Sequence, residues 1–485
     1  MRVSSVIRDA TLSGPDAEIV GMTADSRAVR PGYLFAALPG TRVDGRQFVD
    51  EAVAAGASAV LGPPGLSVPG HVARIEADNP RRALALAASR FFGRQPEVVA
   101  AITGTNGKTS VASFTRQIWT LLGRPAASLG TLGLVAPGRE RPGSLTTPDP
   151  IALHDDLAQL ARDGIEHLAI EASSHGLDQY RLDGIALRAA AFTNLSHEHL
   201  DYHATMGAYR AAKARLFAEL LPAGAAAVLN ADSPEFAHFA AIARARDQRV
   251  IDFGRTARVL RLAAVAPHGH GQTLSLSIEG RSVTVELNLV ADFQAMNVLA
   301  ALGLVVGCGA AWDDALAMVP RLRGVRGRIE LVASRRNGAA VYVDYAHKPL
   351  ALETVLAALR PHARGRLVVV FGCGGDRDTA KRPMMGAIAA KLADRVIVTD
   401  DNPRSEEPAA IRRAILAAAP GAREIGGRGQ AIAAAVAELC DGDVLVIAGK
   451  GHEQGQIVGA TVHPFDDATV ARNAVDAADG AERAR

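Results

Sequence analysis

The sequence predicts an α/β protein of several domains built on parallel sheets, and three observations predict it. Short apolar runs rich in β-branched residues recur along the chain and alternate with stretches of helical apolar spacing. One such run leads straight into a glycine-rich turn that opens a helix, in EVVAAITGTNGKTSVASFTRQIWTLL at residues 97–122. Alanine is abundant while aromatic residues make up only 4%, which suits helices laid close on sheets. A chain of 485 residues is long enough for two to four domains with real cores.

The stretch at 97–122 organises the rest. Residues 98–102 have the apolar, β-branched character of a buried parallel strand. Val111, Phe114, Ile118 and Leu121 then fall at helical spacing. Between them, Gly104, Thr105, Asn106, Gly107, Lys108, Thr109 and Ser110 form a turn whose backbone N–H groups, at a helix N-terminus, make an anion cradle. Lys108 can reach terminal phosphates and the Thr109 hydroxyl can bind Mg²⁺. The pattern departs from G-x-x-x-x-G-K-[ST], because Ile102 stands where the first glycine belongs and Gly104 comes two residues late. An ATP site is the expectation; the bland alternative is a glycine turn with a stray lysine.

Residues 1–96 read as a small α/β domain. Strands are expected at 33–38 and 57–61, helices at 48–55 and 81–92, and turns at 25–27, 31–32 and 40–45. Ser26 and Arg27 either bind a ligand phosphate or cap a turn. Residues 97–327 form a second domain, with strands at 167–171, 189–193, 226–229 and 250–253 and a hairpin over 274–287 that turns at Glu279-Gly280. Helices between them predict a doubly wound parallel sheet, which binds ligands at the carboxyl ends of its strands. The residues past those ends are Glu171, Ser173, Ser174 and His175, then Asn194 and the run 196–203, SHEHLDYH. That run lacks HExxH, since Asp201 stands four after His197, and no G-x-S-x-G elbow surrounds Ser173. Glu171 at a strand end beside a phosphate loop suits Mg²⁺, which prefers carboxylates, water and phosphate oxygens.

Residues 328–485 form a third α/β domain. Strands are expected at 340–343, 367–371, 396–399 and 444–448, and helices at 350–359, 383–392, 408–418 and 430–439. Gly372-Cys373-Gly374-Gly375 resembles a dinucleotide fingerprint but fails at Arg377. Three polar loops follow strands: the charged stretch 376–382, Asp401-Asn402-Pro403-Arg404, and Gly449-Lys450-Gly451-His452-Glu453. One sheet edge should gather them into one pocket, and the last ten residues should fray.

Composition narrows the function. A net charge of +2 argues against nucleic-acid and membrane surfaces. Cys308, Cys373 and Cys440 have neither disulfide nor ligand spacing, which points to a reducing cytosol. The N-terminus has no apolar signal region, and no stretch is long enough to span a bilayer. Of 53 basic residues, only Lys108, Lys213, Lys348, Lys381, Lys391 and Lys450 are lysine. A lysine in so arginine-rich a chain is a candidate for work that a guanidinium cannot do, and all but Lys391 lie in motif stretches.

TGTNGKT, EASSHGL, TNLSHEHLDYH with Lys213 fourteen residues after His199, DYAHKP, FGCGGDRD, DDNPR and AGKGHE together resemble the Mur ligase family across nearly the whole chain. The resemblance implies three domains: a uridine-nucleotide domain, a phosphate-loop domain and a Rossmann-like C-terminal domain. It implies an ATP-dependent amide ligase that adds meso-diaminopimelate to the D-glutamyl residue of UDP-N-acetylmuramoyl-L-alanyl-D-glutamate through an acyl phosphate, in peptidoglycan precursor synthesis. It implies ATP contacts at 104–110, Asn297, Arg328 and Asp344. It implies Mg²⁺ at Thr109, Glu171, His199 and Lys213, with Lys213 carbamylated by CO₂. Ser26, Thr146, Thr147, Ser173, Gln179 and Arg181 match positions that hold the UDP-muramyl dipeptide. Arg377, Asp401, Asn402, Pro403, Arg404, Gly449 and Glu453 match those around diaminopimelate. Two departures stand out: His197-Glu198 where the family has Arg-Asp, and Leu145 where it has Asn. A cytoplasmic monomer is expected. The alternatives are a sibling that adds lysine or a dipeptide, a folylpolyglutamate-type ligase, and, outside ligases, a phosphate-loop kinase or motor ATPase.

Overall fold

A computed structural model describes residues 1–40 and 43–483. It forms two compact units, one of Met1–Arg261, Ile278–Gly280 and Asn297–Met318, the other of Leu262–Ser277, Arg281–Met296 and Val319–Arg485.

The first unit holds two α/β sheets. Its N-terminal sheet runs in the order Thr11–Ser13, Ala73–Glu76, Ala59–Gly62, Tyr33–Ala36, Gly21–Thr23, parallel except at Thr11–Ser13. The sequence signalled only the two middle strands that carry the longest apolar runs; the turn expected over 40–45 falls partly outside the described residues. Pro80 opens the helix Pro80–Phe92, with the Asn79 side chain accepting from the Arg82 amide. The larger sheet runs Arg249–Gly254, Ala226–Asn230, Leu187–Phe192, Val98–Thr103, His167–Glu171, Ala126–Gly130, all parallel, then turns antiparallel through Gly133–Ala136 and Arg139–Arg141. The expected hairpin forms between Gly271–Ile278 and Arg281–Leu287, turning at Glu279-Gly280, both at positive φ. Strands 126–141 were not anticipated, because a run as small-sided as Ala-Ala-Ser-Leu-Gly carries little strand signal. Val98–Thr103 is the central strand, buried between Leu187–Phe192 and His167–Glu171. The turn that follows it therefore emerges at the carboxyl edge of the sheet.

The second unit's sheet runs Glu330–Ser334, Ala340–Asp344, Val444–Ala448, Leu367–Phe371, Arg395–Val398, Arg423–Glu424, parallel except at its first pair. Cores fill both faces, one under helices Pro349–Leu359 and Lys381–Leu392, the other under Arg428–Ala437 and Asp467–Arg483. The last helix corrects the expectation of a frayed terminus. Ala468, Ala471 and Val475 recur at helical spacing and are buried, and within the last ten residues Ala478 packs on the same core and Asp479 pairs with Arg335 at 2.6 Å, so the helix runs on to Arg483; residues 484–485 lie outside the described residues. A hairpin, Gly455–Val458 with Thr461–Pro464, follows the last parallel strand.

Candidate active site

In the first unit the glycine-rich turn takes its shape from neighbouring strand ends. Gly107 has φ 87° and caps the helix Lys108–Leu121; a Cβ there would meet Asn297 Oδ1 at 2.5 Å. Thr105 N–H donates to Asn194 O and Asn106 N–H to Asn194 Oδ1, each at 2.9 Å, and the Thr193 hydroxyl donates to Asn106 O at 2.6 Å. The turn is thus pinned to the end of the adjacent strand, Leu187–Phe192. Thr109 and Ser110 are buried in the first turn of the helix.

Two of the chain's six lysines meet at one backbone oxygen. Lys108 Nζ donates to Gly104 O at 2.9 Å and Thr105 O at 2.8 Å, and Lys213 Nζ donates to Gly104 O at 2.8 Å. Lys213 is 1% exposed and stands 4.4 Å over the Tyr209 ring, one helical turn back. Burial first, then the Lys108 charge, holds its ammonium well below the ordinary lysine range.

Glu171 ends the strand beside the one that leads into the turn, in register with Ile102. It is 1% exposed. The Thr131 amide donates to Oε1 at 2.8 Å and the Thr131 hydroxyl to Oε2 at 3.2 Å. Gly130 is needed here, since a Cβ would sit 2.1 Å from Oε1. Thr147 Oγ1 donates to Glu171 O at 2.7 Å, and the Thr146 and Thr131 hydroxyls are 3.1 Å apart. His199, exposed and at φ 57°, faces the His175 ring at 5.1 Å and the Tyr209 ring at 6.0 Å. Tyr202 and His203 complete this ring cluster. Hydroxyl, carboxylate and one imidazole are donors that fit a hard cation sharing its sphere with phosphate and water. Among the described residues no group of three or more His, Cys, Asp or Glu is gathered as a self-sufficient metal cage.

A cavity of about 550 Å³ opens beside the N-terminal sheet, lined among others by Asp25, Arg81, Asp149, Gln179 and Arg181. Arg181 donates to Thr147 O at 2.7 Å and to Gln179 Oε1, and Ser173 caps the short helix Ser174–Asp178 through the Gly176 amide. Ser26 donates to Glu51 at 3.3 Å, and Arg27 pairs with Asp25, the turn-capping arrangement. Of the residues expected to hold the dipeptide substrate, Gln179 and Arg181 line the cavity. Thr147 and Ser173 join them through hydrogen bonds.

In the second unit, Asp344 ends its strand and accepts from the Ile329 and Ala346 amides at 2.8 and 2.7 Å. Burial pushes its carboxyl up to about 6, against the pull of Arg328. Arg328 lies 5.1 Å over the Tyr345 ring. At the same sheet edge, 401–404 is bound to the 455–464 hairpin: Arg404 N–H donates to Ile457 O at 3.0 Å and Gly459 N–H to Arg404 O at 2.8 Å. Arg404, at φ 52°, donates from Nη1 to Gly375 O at 2.8 Å, which joins the 372–378 loop to this one. The acidic residues that follow Arg404 in sequence are engaged elsewhere. Glu406 pairs with Arg382 and Glu407 caps Pro408–Leu416. Asn402 Nδ2 donates to Glu453 Oε2 at 3.0 Å, and a Cβ on Gly449 would meet Asp401 Oδ2 at 2.6 Å. Arg377 is exposed and touches Asp376 O. The expected pocket loops therefore do share one edge.

The sequence reading missed Thr131, Tyr209 and the 455–464 hairpin. Tyr209 was open to discovery, being four residues before Lys213 on a helix; Thr131 follows the strand that small side chains concealed.

Family models match almost end to end. "Mur ligase family, catalytic domain" covers residues 18–103, "Mur ligase middle domain" residues 102–305, and "Mur ligase, glutamate ligase domain" residues 327–451. The chain is 56% identical over 457 residues to a UDP-N-acetylmuramoyl-L-alanyl-D-glutamate–2,6-diaminopimelate ligase of Bradyrhizobium diazoefficiens, covering 93% of each. It is 55% identical to the protein of the same name from Caulobacter vibrioides, over 96% of this chain and 97% of that one. A solved structure of a ligase of that name superposes with a TM-score of 0.74 at 34% identity, covering 95% of both chains.

Proposed function

The chain belongs to the Mur ligase family, and from that premise we propose that it joins meso-diaminopimelate to the D-glutamyl residue of UDP-N-acetylmuramoyl-L-alanyl-D-glutamate at the cost of ATP. The observation that carries the reading is the meeting of Lys108 and Lys213 at the Gly104 carbonyl, inside a phosphate turn. A kinase or motor reading explains the turn but has no use for the desolvated second amine.

The D-glutamyl carboxylate attacks the γ-phosphorus of ATP, releasing ADP and forming an acyl phosphate. The amine of diaminopimelate then attacks that carbonyl, phosphate leaves, and the amine proton is lost to solvent or phosphate. Residues 104–110 bind the phosphates through backbone N–H groups. Lys108 exchanges its two carbonyl partners for phosphate oxygens and offsets the charge of the transferring phosphoryl group. Asn297, Arg328 and Asp344 are assigned to the rest of the nucleotide. Thr109, Glu171 and His199 would hold Mg²⁺, which would supply positive charge to offset that of the phosphates. We assign to Lys213 a carbamate made from CO₂: formation needs a neutral amine, which burial beside a second cation favours. Ser26, Thr146, Thr147, Ser173, Gln179 and Arg181 are assigned to the muramyl dipeptide. Arg377, Asp401, Asn402, Pro403, Arg404, Gly449 and Glu453 are assigned to diaminopimelate.

We assign the three steps of recognition to residues 1–96, 97–327 and 328–485; the family matches, which break near 103 and before 327, support that division. No helix among the described residues is long and apolar enough to cross a membrane. A monomer working in the cytoplasm, where ATP is made available, is the proposed state. Phosphate release with ATP, the UDP-muramyl dipeptide and a panel of amino acids tests the whole reading. Turnover should require the dipeptide and peak with meso-diaminopimelate. Equal use of lysine would replace it with the lysine-adding sibling, and acceptor-independent turnover would replace it with an ATPase.

A further inference from the structure

Lys450 lies in a loop expected to face substrate, yet its side chain has no exposed surface. It rises from a rigid floor. Arg428 and Asp467, both fully buried, are paired at 2.7 Å, and Arg428 Nη2 donates to Ala448 O at 3.0 Å, two residues before Lys450. Lys450 Nζ donates to Asn402 Oδ1 at 2.8 Å and to Gly455 O at 2.6 Å. The Ile457 amide also donates to Asn402 Oδ1, at 2.9 Å. Two donors on one oxygen decide which way round the Asn402 amide lies, because the NH₂ group cannot accept them. Nδ2 is thereby turned to Glu453 and donates to Oε2 at 3.0 Å. Lys450 Nζ itself stands 3.7 Å from that oxygen. An ammonium is costly to bury, and here one of its two bonds ends on the amide that steers an acidic side chain of the acceptor site, the other on the Gly455 carbonyl.

Resting on the assignment of these loops to the amino-acid acceptor, we propose that Lys450 is a positioning residue for the acceptor's distal ammonium group: it fixes the Asn402 amide, which aims the Glu453 carboxylate. Arg404 then reads the distal carboxylate and this relay reads the distal ammonium, so the two halves of the far amino-acid centre are recognised by separate devices. Diaminopimelate and lysine share the distal ammonium; 2-aminopimelate keeps the distal carboxylate and lacks the ammonium.

The test compares wild type with Lys450→Met, which keeps the stem and removes the charge. The KM for diaminopimelate, and for lysine where measurable, should rise about tenfold, the effect of one slackened charge-assisted bond, with kcat within about threefold. The KM for ATP should not move. The affinity for 2-aminopimelate, followed as substrate or competitive inhibitor, should change less than about twofold. A merely structural defect would weaken all three acceptors alike and would overturn the proposal, as would an unchanged KM for diaminopimelate. Asn402→Asp, equal in size but facing Glu453 with an oxygen, should give the same selectivity and stands in if Lys450→Met does not fold. Amide exchange supplies a readout free of substrate: Ile457 should exchange faster in Lys450→Met while 367–371 keeps its protection. Wild-type failure to use diaminopimelate would sink the proposed function alone; unaltered exchange at Ile457 would sink the relay alone.

Discussion

Lys213 shows how one side chain can be ready for a chemistry that its residue type does not advertise. Its amine is dry, near another cation and bonded to a carbonyl, and burial with the Lys108 charge holds its ammonium well below the ordinary lysine range, which favours the neutral amine. Lys213→Ala should lower ligase turnover by about a hundredfold or more, with part restored by added acetate or formate. In ¹³C NMR with labelled bicarbonate, the wild type should show a carbamate signal that the variant lacks; a wild type without it would remove CO₂ from the mechanism. Arg404 makes a different point. Its positive φ and its bonds to loop carbonyls hold the guanidinium inside the loop cluster instead of on the helix surface. A lysine acceptor would leave that group desolvated without its carboxylate, at about 2–5 kcal/mol. Arg404→Ala should therefore shrink the preference for diaminopimelate over lysine by tens-fold or more in competition kinetics, and an unchanged ratio would exclude it from selection. The sequence could offer both roles for Arg404, pocket and ion pair, but only the structure shows Glu406 taken by Arg382.

At the level of elements, the phosphate turn depends on a backbone that ordinary residues resist. Gly107→Ala must carry a Cβ at φ 87° against Asn297 Oδ1. The expected result is a stability loss of about 1–3 kcal/mol in urea unfolding and at least about a tenfold weaker ATP affinity by calorimetry. Normal ATP affinity would mean that the turn tolerates another shape. The strands that frame this turn were legible because they are buried on both faces and so read as continuous apolar runs. The strands at 126–141 were not, since Ala126, Ala127, Ser128 and Gly130 carry little propensity and win their place through pairing with His167–Glu171. The positive-φ residues His199, Asp376 and Arg404 were invisible for another reason: no glycine marks them, and surrounding bonds enforce the shape. One helix also changes pitch near the site: Met206–Arg215, which carries Lys213, continues as a π-helix over Leu216–Leu220.

On the scale of the whole molecule, buried titratable groups give the fold a pH profile. His154 in the first unit is buried against Asp183 O at 3.0 Å, and burial pushes its imidazole down to about 4. The unfolded chain takes up this proton near pH 6.5, so the folded state loses stability as pH falls from about 6.5 to about 4 and keeps it above. His154→Gln should show a smaller drop between pH 7 and 4.5 than wild type, by about 2–3 kcal/mol in urea unfolding. In the second unit His452, pushed down to about 4, acts in the same sense, while Asp344, pushed up to about 6, acts in the opposite one. None of this was readable from sequence, because it depends on which polar groups the packing closes over. The motif loops, by contrast, were readable as a set, since every parallel strand must deliver its next residues to the same edge.

The burial of Lys213 and Lys450 has an analytical use. Only seven amines exist in the chain, the six lysines and the N-terminus, and these two are closed to solvent while Lys348 and Lys391 are open. A mild acylating reagent should therefore leave a short ladder of adducts on the native protein, and intact mass should show two further steps only after unfolding. The chain carries its own counter of conformational state, with one mark in the phosphate site and one beneath the acceptor loops.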